Sequence, residues 1–377
     1  MLAFALALRI GGDLTFGLPA RLPLLLSSRP VPRVLRVSAT SPEPSVIAEA
    51  AAVLVAGGLV AFPTETVYGL GARGLHELEV LRIFAAKQRP KGHPLILHVD
   101  GEAMARTLAA SWPDRASRLA GTFWPGPVTL VVARAAHVPE AVSGGLGTVG
   151  LRAPRHPVAL ALIRAVGEPL AAPSANAHMH ISPTTAAHVV RSLGDAVDLV
   201  LDAGPCAHGI ESTVVDVASD PPRVLRAGAA SLEALRAVVP ELAYEAITVA
   251  GDAARASPGL ASKHYAPRTR VILASHGAGV VEAASRISRA AGTSARIGAI
   301  VWSSEARTAI DAAARSGALV LAELAVLPDD AAHYGHAIFA ALHDADAAAL
   351  DALVVERVPD GPGWWAIADR IRRAAED

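Results

Sequence analysis

LVAFPTETVYGLGA, which spans Leu59–Ala72, joins a short apolar run to a loop rich in hydroxyl, acidic and glycine residues. The run Leu59–Phe62 follows a pair of glycines and precedes Pro63, and a brief apolar segment between such breakers predicts a buried strand. The loop after it places two threonines, a glutamate, a tyrosine and two glycines at one strand exit. Loops held by a rigid scaffold often carry binding groups, so the stretch indicates an α/β domain with a site beside this strand.

The segments around this strand alternate between helical and strand patterns. Apolar residues at helical spacing predict helices in SVIAEAAAVLVA, HELEVLRIFAAKQR, HPVALALIRAVG, TTAAHVVRSLG and SLEALRAVV. Short apolar runs predict strands in PLILHV, VTLVVAR, TVGLRAP, PLAAPSAN, LVLDAG, STVVDV and RVLRAG. The alternation predicts an α/β domain built on a twisted mixed sheet.

A second, smaller domain is predicted after a connection that contains several prolines. Its strands RVILAS, IGAIVW, ALVLAEL and ALVVERV alternate with helices, which is typical of a parallel, Rossmann-like sheet. No Gly-x-Gly-x-x-Gly fingerprint opens its first helix, so dinucleotide binding is not expected there. The predicted division is a leader over residues 1–37, a first domain over 38–240, a linker over 241–268 and a second domain over 269–377.

The leader differs in composition from the rest of the chain. It holds five arginines against one acid, Asp13, and the apolar residues Leu2–Leu8 precede the first arginine. A secretory signal carries its positive charge before its apolar core, so this order argues against one. An organellar transit peptide and a dispensable leader from an upstream start codon both stay open, and the leader is assigned no function.

The composition excludes several classes of protein. Lys plus Arg number 34 and Asp plus Glu number 35, so a net charge of -1 provides no global basic field of the kind that binds nucleic acid. A single cysteine, Cys206, excludes an internal disulfide and a Cys-rich zinc site, and it fits a reducing cytosol. No apolar run approaches the roughly 20 residues of a membrane span, so no membrane association is predicted.

Cations gather at or just beyond the predicted strands of the first domain: Lys87, Arg89, Lys91, His93, His98, Arg152, Arg155 and Arg226. A solvated helix C-terminus accounts equally well for the first of these, because cations are favoured there. Several cations on one sheet indicate an anion cradle, since arginine and lysine bind phosphate and carboxylate. Further strand exits carry groups that can donate to an anion without adding charge: Ser174, Asn176, Ser182, Ser212 and Thr213.

Several catalytic motifs are missing from the chain. There is no Walker A sequence, no G-x-S-x-G elbow and no H-E-x-x-H pair. A covalent mechanism therefore has little support. The residue types favour positioning and charge neutralisation, which is how phosphoryl and nucleotidyl transfer are commonly catalysed.

Taken together, the motifs closely resemble those of the threonylcarbamoyl-AMP synthase family. The motifs occur in the family's order: PTETVYGLGA, KQRP with HPLILH, WPGPVTLV, VGLRAPRHP, APSAN with SPTTAAHV, and GIESTVVD. SPGLASKHYAP and GPGWWAIADRIRRAA resemble the linker and C-terminal domain of the family's two-domain form, so the resemblance covers about residues 38–377. It implies a YrdC-like twisted mixed sheet with helices over 38–240, an active-site lid within 241–268 and a Rossmann-like parallel α/β domain over 269–377.

The resemblance implies a cytoplasmic nucleotidyltransferase. Such an enzyme joins L-threonine, bicarbonate and ATP into threonylcarbamoyl-AMP and releases diphosphate, with Mg2+ accompanying the ATP. Its product feeds a downstream tRNA threonylcarbamoyltransferase complex, and weak RNA binding is a further expectation.

The resemblance also implies roles for individual residues, and it implies no metal-ligating side chain. Lys87, Arg89 and Arg152 are the expected catalytic groups. Tyr265 is expected to come from the linker and cover ATP. The expected threonine site consists of Thr66, His98, Arg152 and Ser212. The expected ATP site consists of Lys87, Arg89, His93, Thr148, Ser174, Asn176, Ser182, Arg226 and Tyr265.

Some positions depart from the frequent family pattern. Residues 177–179 read Ala-His-Met where Ser-Gly is common, residues 202–204 read Asp-Ala-Gly in place of Asp-Gly-Gly, and Ala227 replaces a common proline.

Two other functions use related features. A related carbamoyltransferase of hydrogenase maturation carries a Cys-rich zinc module, which the single cysteine excludes. An RNA-binding or ribosome-assembly module that uses the basic concavity is the alternative function.

Overall fold

The computed structural model describes residues 32–244, 265–291 and 295–375. Residues 1–31 of the predicted leader and residues 245–264 of the predicted linker therefore lie outside the described part of the chain. Within the described residues there is no helix long and apolar enough to cross a membrane.

Fifteen strands and twelve α-helices make up the described part of the chain. The strands are β1 Arg33–Arg36, β2 Val60–Phe62, β3 Gly69–Arg73, β4 Ile96–His98, β5 Val128–Ala133, β6 Thr148–Arg152, β7 Leu170–Ala171, β8 Leu199–Asp202, β9 Thr213–Asp216, β10 Arg223–Arg226, β11 Ala243–Tyr244, β12 Arg270–Ala274, β13 Ile297–Val301, β14 Glu323–Val326 and β15 Ala352–Glu356. The helices are α1 Pro44–Val55, α2 Glu77–Lys87, α3 Glu102–Thr107, α4 Asp114–Phe123, α5 Glu140–Ser143, α6 Pro157–Val166, α7 Ala186–Leu193, α8 Leu232–Val238, α9 Ala278–Ala291, α10 Ser304–Arg315, α11 Ala331–Ala347 and α12 Trp365–Ala374.

Strands β1 to β11 form the large sheet, in the order β1-β8-β2-β3-β7-β4-β6-β5-β9-β10-β11. Parallel pairs such as β4 with β6 alternate with antiparallel pairs such as β5 with β6, which confirms the predicted mixed sheet. Apolar clusters cover the sheet: Leu54 of α1 and Leu162 of α6 share one with Phe62, while Val80 and Phe84 of α2 belong to another. Because both clusters are fully buried, the large sheet serves as a rigid platform for a site.

The glycine-rich end of the opening stretch forms strand β3, which was not predicted. It pairs antiparallel with β2, so the polar loop between them reverses the chain. A Cβ atom at Gly71 would lie 2.7 Å from Cε1 of Phe62, so any larger residue would push this ring aside. The absence of a side chain at Gly71 is therefore what allows the two strands to pack around Phe62.

Residues predicted as leader supply the edge of the large sheet. Strand β1, Arg33–Arg36, pairs in parallel with β8 in the register Arg33 with Leu199. The ordered sheet thus begins before residue 38, so the whole of its edge strand β1 lies on the leader side of the predicted boundary.

Strands β12 to β15 form the small sheet in the order β12-β15-β13-β14, and every pair in it is parallel. This confirms the predicted Rossmann-like parallel sheet. Strands β12 to β15 and helices α9 to α12 are called the C-terminal layer below. The strand predicted in ALVLAEL is displaced, because β14 begins only at Glu323. Leu319 is buried, while the next residue, Val320, is 82% exposed. The first part of ALVLAEL is therefore a loop between α10 and β14 that buries the side chain of Leu319.

The two sheets share an apolar cluster. Ile210, which follows the large sheet's β8, packs in one cluster with Tyr334 and Phe339 of helix α11. At Gly209, where φ is +72°, a Cβ atom would lie 2.5 Å from the backbone oxygen of His336 in the same helix. Backbone therefore packs directly on backbone where the C-terminal layer meets the large sheet. The adjacent tryptophans of the closing motif also join this region, since Trp365 stacks on Tyr244 at 5.1 Å between ring centroids.

Candidate active site

One face of the large sheet carries the central cation and histidine of the predicted site. His98 and Arg152 are paired in register on the parallel strands β4 and β6, so their side chains emerge side by side on the same face. Gly150 lies on that face two residues earlier, and a Cβ atom there would lie 3.3 Å from Cγ2 of Thr129. Because Gly150 has no side chain, the space above the sheet beside Arg152 is left unfilled. The cations predicted at strand ends therefore meet on a sheet face.

A cavity with about 50 Å³ of open space lies over this face. Three of the buried cations that line it are arginines from separate parts of the sheet: Arg89 after α2, Arg152 on β6 and Arg226 on β10. Its other polar lining residues are Thr64, Thr66, His98, Ser174, Glu211, Ser212 and Tyr265.

Arg152 is held by an acid from the opening stretch. Its Nη2 atom lies 2.8 Å from Oε1 of Glu65, and both side chains are buried, at 4% and 6% exposure. Its Nε atom donates to the backbone oxygen of Gly126 at 3.3 Å. Burial raises the pKa of Glu65, but the charge of Arg152, the hydrogen bond from Arg152 and hydrogen bonds from the backbone together hold that pKa below its usual range. Glu65 is therefore ionised, and Arg152, which lines the cavity, already binds a carboxylate.

His98 is a neutral imidazole beside this pair. Burial, with a further contribution from the charge of Arg152, lowers the pKa of His98 to about 3. Its Nδ1 atom is buried and has no hydrogen-bond partner among the residues that the structure describes. The ring packs edge-on against Phe62 at 6.1 Å between centroids. A neutral, partly unsatisfied imidazole can exchange one hydrogen bond with a ligand.

Lys87 lies behind the cavity wall. At the end of α2 its Nζ atom donates to the backbone oxygens of Ser174 and Asn176, in the APSAN motif. Burial, and secondarily the neighbouring charge of Arg89, lower the pKa of Lys87 well below its usual range. Lys87 therefore ties helix α2 to the loop after β7, while Arg89, whose Nη2 atom donates to the backbone oxygen of Pro94 at 3.1 Å, faces the cavity.

A second group of hydroxyls and a cation lies where β9 begins. Oγ1 of Thr129 and Oγ of Ser212 are 2.8 Å apart. Nη2 of Arg226 donates to the backbone oxygen of Ser212 at 2.9 Å and to its hydroxyl at 3.2 Å. Arg226 is buried, and its burial lowers its pKa, although an arginine stays charged under these conditions. The group supplies both hydroxyl and cationic donors to the cavity.

Glu211 is the second buried acid of the site. Its Oε1 atom accepts the hydroxyl proton of Ser182 at 2.5 Å, and its Oε2 atom lies 3.0 Å from Nε of Arg370 in helix α12. Burial would raise the pKa of Glu211, yet the charges of Arg370 and Arg226 hold it below its usual range. The guanidinium of Arg370 lies 5.0 Å from the centroid of the Tyr265 ring. A residue of the last helix thus reaches the cavity wall.

The structure brings most of the predicted site together. Thr66, Arg89, His98, Arg152, Ser174, Ser212, Arg226 and Tyr265 line the cavity. Lys87, Asn176 and Ser182 are buried directly behind this lining. His93 contacts His178 at 5.2 Å between ring centroids, and Thr148 lies four residues before Arg152 on β6, so both lie outside the lining. Their predicted nucleotide contacts stay predictions.

Four functional candidates went unpredicted: Glu65, Thr129, Glu211 and Arg370. Each acid stands alone inside a quoted motif, PTETVYGLGA or GIEST, among residues of another type. An isolated acid near several cations is the signal that could have found both. Arg370 carries no such signal, because only the packing of α12 against the large sheet brings it to Glu211.

No group of three or more His, Cys, Asp or Glu side chains suited to a metal ion occurs in residues 32–244, 265–291 and 295–375. The departure at residues 177–179 leaves a compact turn. Nδ2 of Asn176 donates to the backbone oxygens of Ala177, at 2.9 Å, and His180, at 2.7 Å. Met179 adopts a positive φ of 68°.

Fold and site together define an α/β protein with a buried cavity lined by arginines and hydroxyl groups, and comparison with known proteins identifies its family. A family profile described as "Telomere recombination" matches residues 52–228, and one described as "Threonylcarbamoyl-AMP synthase, C-terminal domain" matches residues 230–376. Threonylcarbamoyl-AMP synthase of Pyrococcus abyssi is 36% identical over 323 residues, which cover 85% of this chain and 91% of that protein. The Bacillus subtilis protein of the same name is 42% identical over 222 residues, or 59% of this chain and 64% of its own length.

A solved structure agrees with both the family and the two-layer architecture. The crystal structure of Pyrococcus abyssi Sua5 complexed with L-threonine matches with a TM-score of 0.82 at 35% sequence identity. The match covers 91% of this chain and 97% of the crystallised one. The chain belongs to the threonylcarbamoyl-AMP synthase family.

Proposed function

We propose that this chain is an L-threonylcarbamoyladenylate synthase, a nucleotidyltransferase that makes threonylcarbamoyl-AMP and diphosphate from L-threonine, bicarbonate and ATP. The observation that carries the proposal is the buried Arg152, which lines a cavity together with two further arginines and already binds the carboxylate of Glu65 at 2.8 Å. The family membership supports the reaction, and the threonine-bound Pyrococcus structure supports threonine as the amino acid.

The reaction needs no nucleophile from the protein. The amine of threonine adds to the carbon of bicarbonate or of the CO2 it releases, and water leaves as the carbamate forms. A carbamate oxygen then attacks the α-phosphorus of ATP, and the bond from that phosphorus to the bridging oxygen breaks in line. Diphosphate carries away the electron pair of the broken bond. This agrees with a cavity of cations and hydroxyls that lacks a nucleophile–base pair.

Charge is the main obstacle that the site would overcome. Carbamate, the threonine carboxylate and the ATP phosphates repel one another, and buried arginines reduce this repulsion in a low-dielectric site. Arg152 would bind the threonine carboxylate in place of Glu65. Arg89 and Arg226 would meet the nucleotide, and Lys87 would order the cavity wall beside it. Mg2+ would enter with ATP as part of the substrate, bound mainly by phosphate oxygens.

His98 would orient threonine as a neutral group. Its pKa of about 3 keeps the ring unprotonated at physiological pH, so it adds no positive charge beside Arg152. Its buried Nδ1 atom could accept a hydrogen bond from the amine or hydroxyl of threonine. Thr66 and Ser212, which line the same cavity, would complete the hydrogen bonds of the amino acid.

Tyr265 would close the cavity against water. It is 1% exposed, lines the cavity and has a pKa raised by burial, so its hydroxyl keeps its proton. A carbamate and a mixed anhydride are both lost to water, so a cover is required while they exist. The aromatic ring rather than acid–base chemistry would supply this protection.

The remaining partners follow from the product. Threonylcarbamoyl-AMP would pass in the cytoplasm to a tRNA threonylcarbamoyltransferase complex, and weak RNA binding would accompany this transfer. The alternative of an RNA-binding module is less well supported. It needs an exposed basic concavity, yet Lys87, Arg89, Arg152 and Arg226 are all at most 8% exposed.

The test is an incubation of the purified protein with ATP, Mg2+, bicarbonate and one amino acid at a time. Diphosphate release and threonylcarbamoyl-AMP should both depend on threonine and on bicarbonate. Serine, which lacks only the methyl group, is the matched control and should turn over more slowly by roughly tenfold or more. Diphosphate release that is indifferent to the amino acid, together with salt-sensitive RNA binding, would instead favour the RNA-binding alternative.

A further inference from the structure

Arg370 joins three elements that are far apart in the sequence. It projects from α12 and is 1% exposed. Its Nε atom lies 3.0 Å from Glu211, and its guanidinium carbon lies 5.0 Å from the centroid of Tyr265. A third group, Asp369 of the same helix, accepts a hydrogen bond from its Nη1 atom at 3.1 Å.

Both partners of Arg370 are tied to the cavity. Tyr265 lines it directly, and Glu211 lines it while preceding Ser212, whose hydroxyl and backbone oxygen bind Arg226. A planar guanidinium offers its edge to a carboxylate and its face to an aromatic ring at the same time. One side chain of the C-terminal layer therefore fixes two sides of a cavity on the large sheet.

Stability alone gives a weak reason for this arrangement. Apolar residues of similar volume often replace a buried ion pair at no cost in stability, whereas the pair specifies geometry. Tyr265 already packs on Phe339 of α11 with rings 5.7 Å apart, so the apolar cluster could bury it without an arginine. The guanidinium adds a contact to this ring, at 5.0 Å from its centroid, that the apolar cluster does not supply.

We infer that Arg370 is a positioning residue for the reaction, which holds Tyr265 closed over the cavity and holds Glu211 so that Ser212 and Arg226 stay in place. This inference rests on the proposed function. It assigns the C-terminal layer a direct part in shaping the active site, through a residue that never contacts the reacting atoms.

A double-mutant cycle between Arg370→Lys and Tyr265→Leu tests the inference. Lysine keeps the charge near Glu211 but lacks the planar face, so Arg370→Lys should lower kcat/KM for ATP by roughly tenfold. In a protein that already carries Tyr265→Leu, the same change should cost less than about threefold, because the ring it positions is gone. Equal losses in the two backgrounds would overturn the inference.

A matched control separates positioning from folding. Arg373→Lys alters another buried arginine of α12, one that binds Asp369 at 2.8 Å, and should leave kcat/KM for ATP within about twofold. If Arg373→Lys lowers kcat/KM as much as Arg370→Lys does, the effect belongs to helix stability and the inference is wrong.

Cleavage by chymotrypsin after Tyr265 provides a readout that does not depend on turnover. Arg370→Lys should raise the rate of this cleavage, followed by mass spectrometry, by roughly tenfold at a temperature where both proteins are folded. Arg373→Lys should not. If the unaltered protein shows no threonine-dependent turnover, the proposed function fails while this measurement still reports on Arg370. An unchanged cleavage rate in Arg370→Lys overturns the positioning role.

Discussion

Two buried carboxylate–arginine pairs, Glu65–Arg152 and Glu211–Arg370, have the same chemistry but different surroundings. The paired atoms lie 2.8 Å and 3.0 Å apart, and both carboxylates have pKa values below their usual range. The first pair lies wholly within the large sheet, and its arginine is the group proposed to exchange its partner for threonine. The second spans the two layers, and Ser182 supplies a further partner to its acid. The same kind of ion pair can therefore release its arginine to bind a substrate in one place and hold two parts of the protein together in another.

The largest expected effect comes from breaking the exchangeable pair. Arg152→Ala should lower kcat/KM for threonine by roughly a hundredfold or more and leave ATP binding much less affected, because a buried charge-assisted contact to the carboxylate is lost. It also leaves Glu65 buried and unpaired, which should lower the free energy of unfolding by about 3–5 kcal/mol. Steady-state kinetics with varied threonine measure the loss in kcat/KM, and calorimetry measures ATP binding, both on protein shown to be folded by circular dichroism.

Two further variants sharpen this result. Arg155→Ala removes an exposed arginine three residues away and should change little. Lys87→Ala should weaken ATP binding chiefly, by roughly tenfold, because Lys87 orders the wall near the expected nucleotide site. Similar small effects of Arg152→Ala and Lys87→Ala on both ligands would contradict the separation of the two substrates.

The second prediction concerns acid, which should loosen the contact between the layers before either pair breaks. His188 of α7 stacks on His343 of α11 with ring centroids 3.9 Å apart, near Arg191, Asp344 and Asp346. Burial is the main cause that lowers the pKa values of His188 and His343 to about 4 and about 3; the charge of Arg191 adds to it at His188, and repulsion from His188 adds to it at His343. Since these folded-state values lie below the ordinary value of about 6.5, the rings stabilise the fold fully above pH 6.5 and lose that contribution as the pH falls toward 4.

Thermal unfolding between pH 7.5 and 4.5 measures this loss, which should be roughly 2–5 kcal/mol for the two rings over the window. Glu65 and Glu211, whose pKa values are lowered, contribute stability above about pH 4.5 that is lost only as the pH falls further. His343→Phe keeps a ring in the stack and should flatten the upper part of the profile. A His343→Phe profile parallel to that of the unaltered protein would assign the loss to other groups.

The third prediction concerns the ring that the fixed pair supports. Tyr265→Ala should weaken ATP binding by roughly tenfold, leave threonine binding nearly intact and raise the share of ATP consumed without product accumulating, because water enters the cavity. Tyr265→Phe should be mild, since the ring is the cover. The ratio of threonylcarbamoyl-AMP to diphosphate distinguishes the two variants, and an unchanged ratio in Tyr265→Ala would reduce this residue to an anchor between layers.

The smallest expected effect comes from trimming the extra partner of the fixed pair. Ser182→Ala removes the hydrogen bond to the charged Glu211 and should lower the free energy of unfolding by about 1.5 kcal/mol. Ser219→Ala removes a comparable hydrogen bond from a half-buried serine to Asp216 and should cost only a few tenths of a kcal/mol. Denaturant unfolding of both variants makes the comparison, and equal losses would mean that burial adds nothing to the bond.

The sequence predicted the individual secondary-structure elements better than the tertiary contacts between them. The run before Pro63 and the motif residues His98 and Arg152 were predicted, because apolar spacing and residue type are local properties. That His98 and Arg152 are neighbours in register depends on which strands pair, which the sequence does not state. Strand β3 was not predicted because its glycines show no strand pattern. These glycines leave room for the ring of Phe62 on the neighbouring strand β2.

The buried acids and the last helix show the same limit more sharply. Glu65 and Glu211 have no recognisable role until their arginines are known. Arg370 stands in an ordinary amphipathic helix, so nothing in its own segment distinguishes it from Arg373 one turn later. Long-range ion pairs of this kind become visible only when the C-terminal layer has packed on the large sheet.

The amine of Lys87, enclosed by the backbone oxygens of Ser174 and Asn176, has a consequence for chemical labelling. The lysines of the chain are Lys87, Lys91 and Lys263, and Lys91 is exposed only four residues from Lys87. With its pKa well below the usual range, Lys87 would be the stronger nucleophile toward an acylating reagent if the reagent could reach it. The acylation rate of Lys87 relative to that of Lys91 therefore reports how often the cavity wall opens. A single tryptic peptide map gives both rates without any substrate.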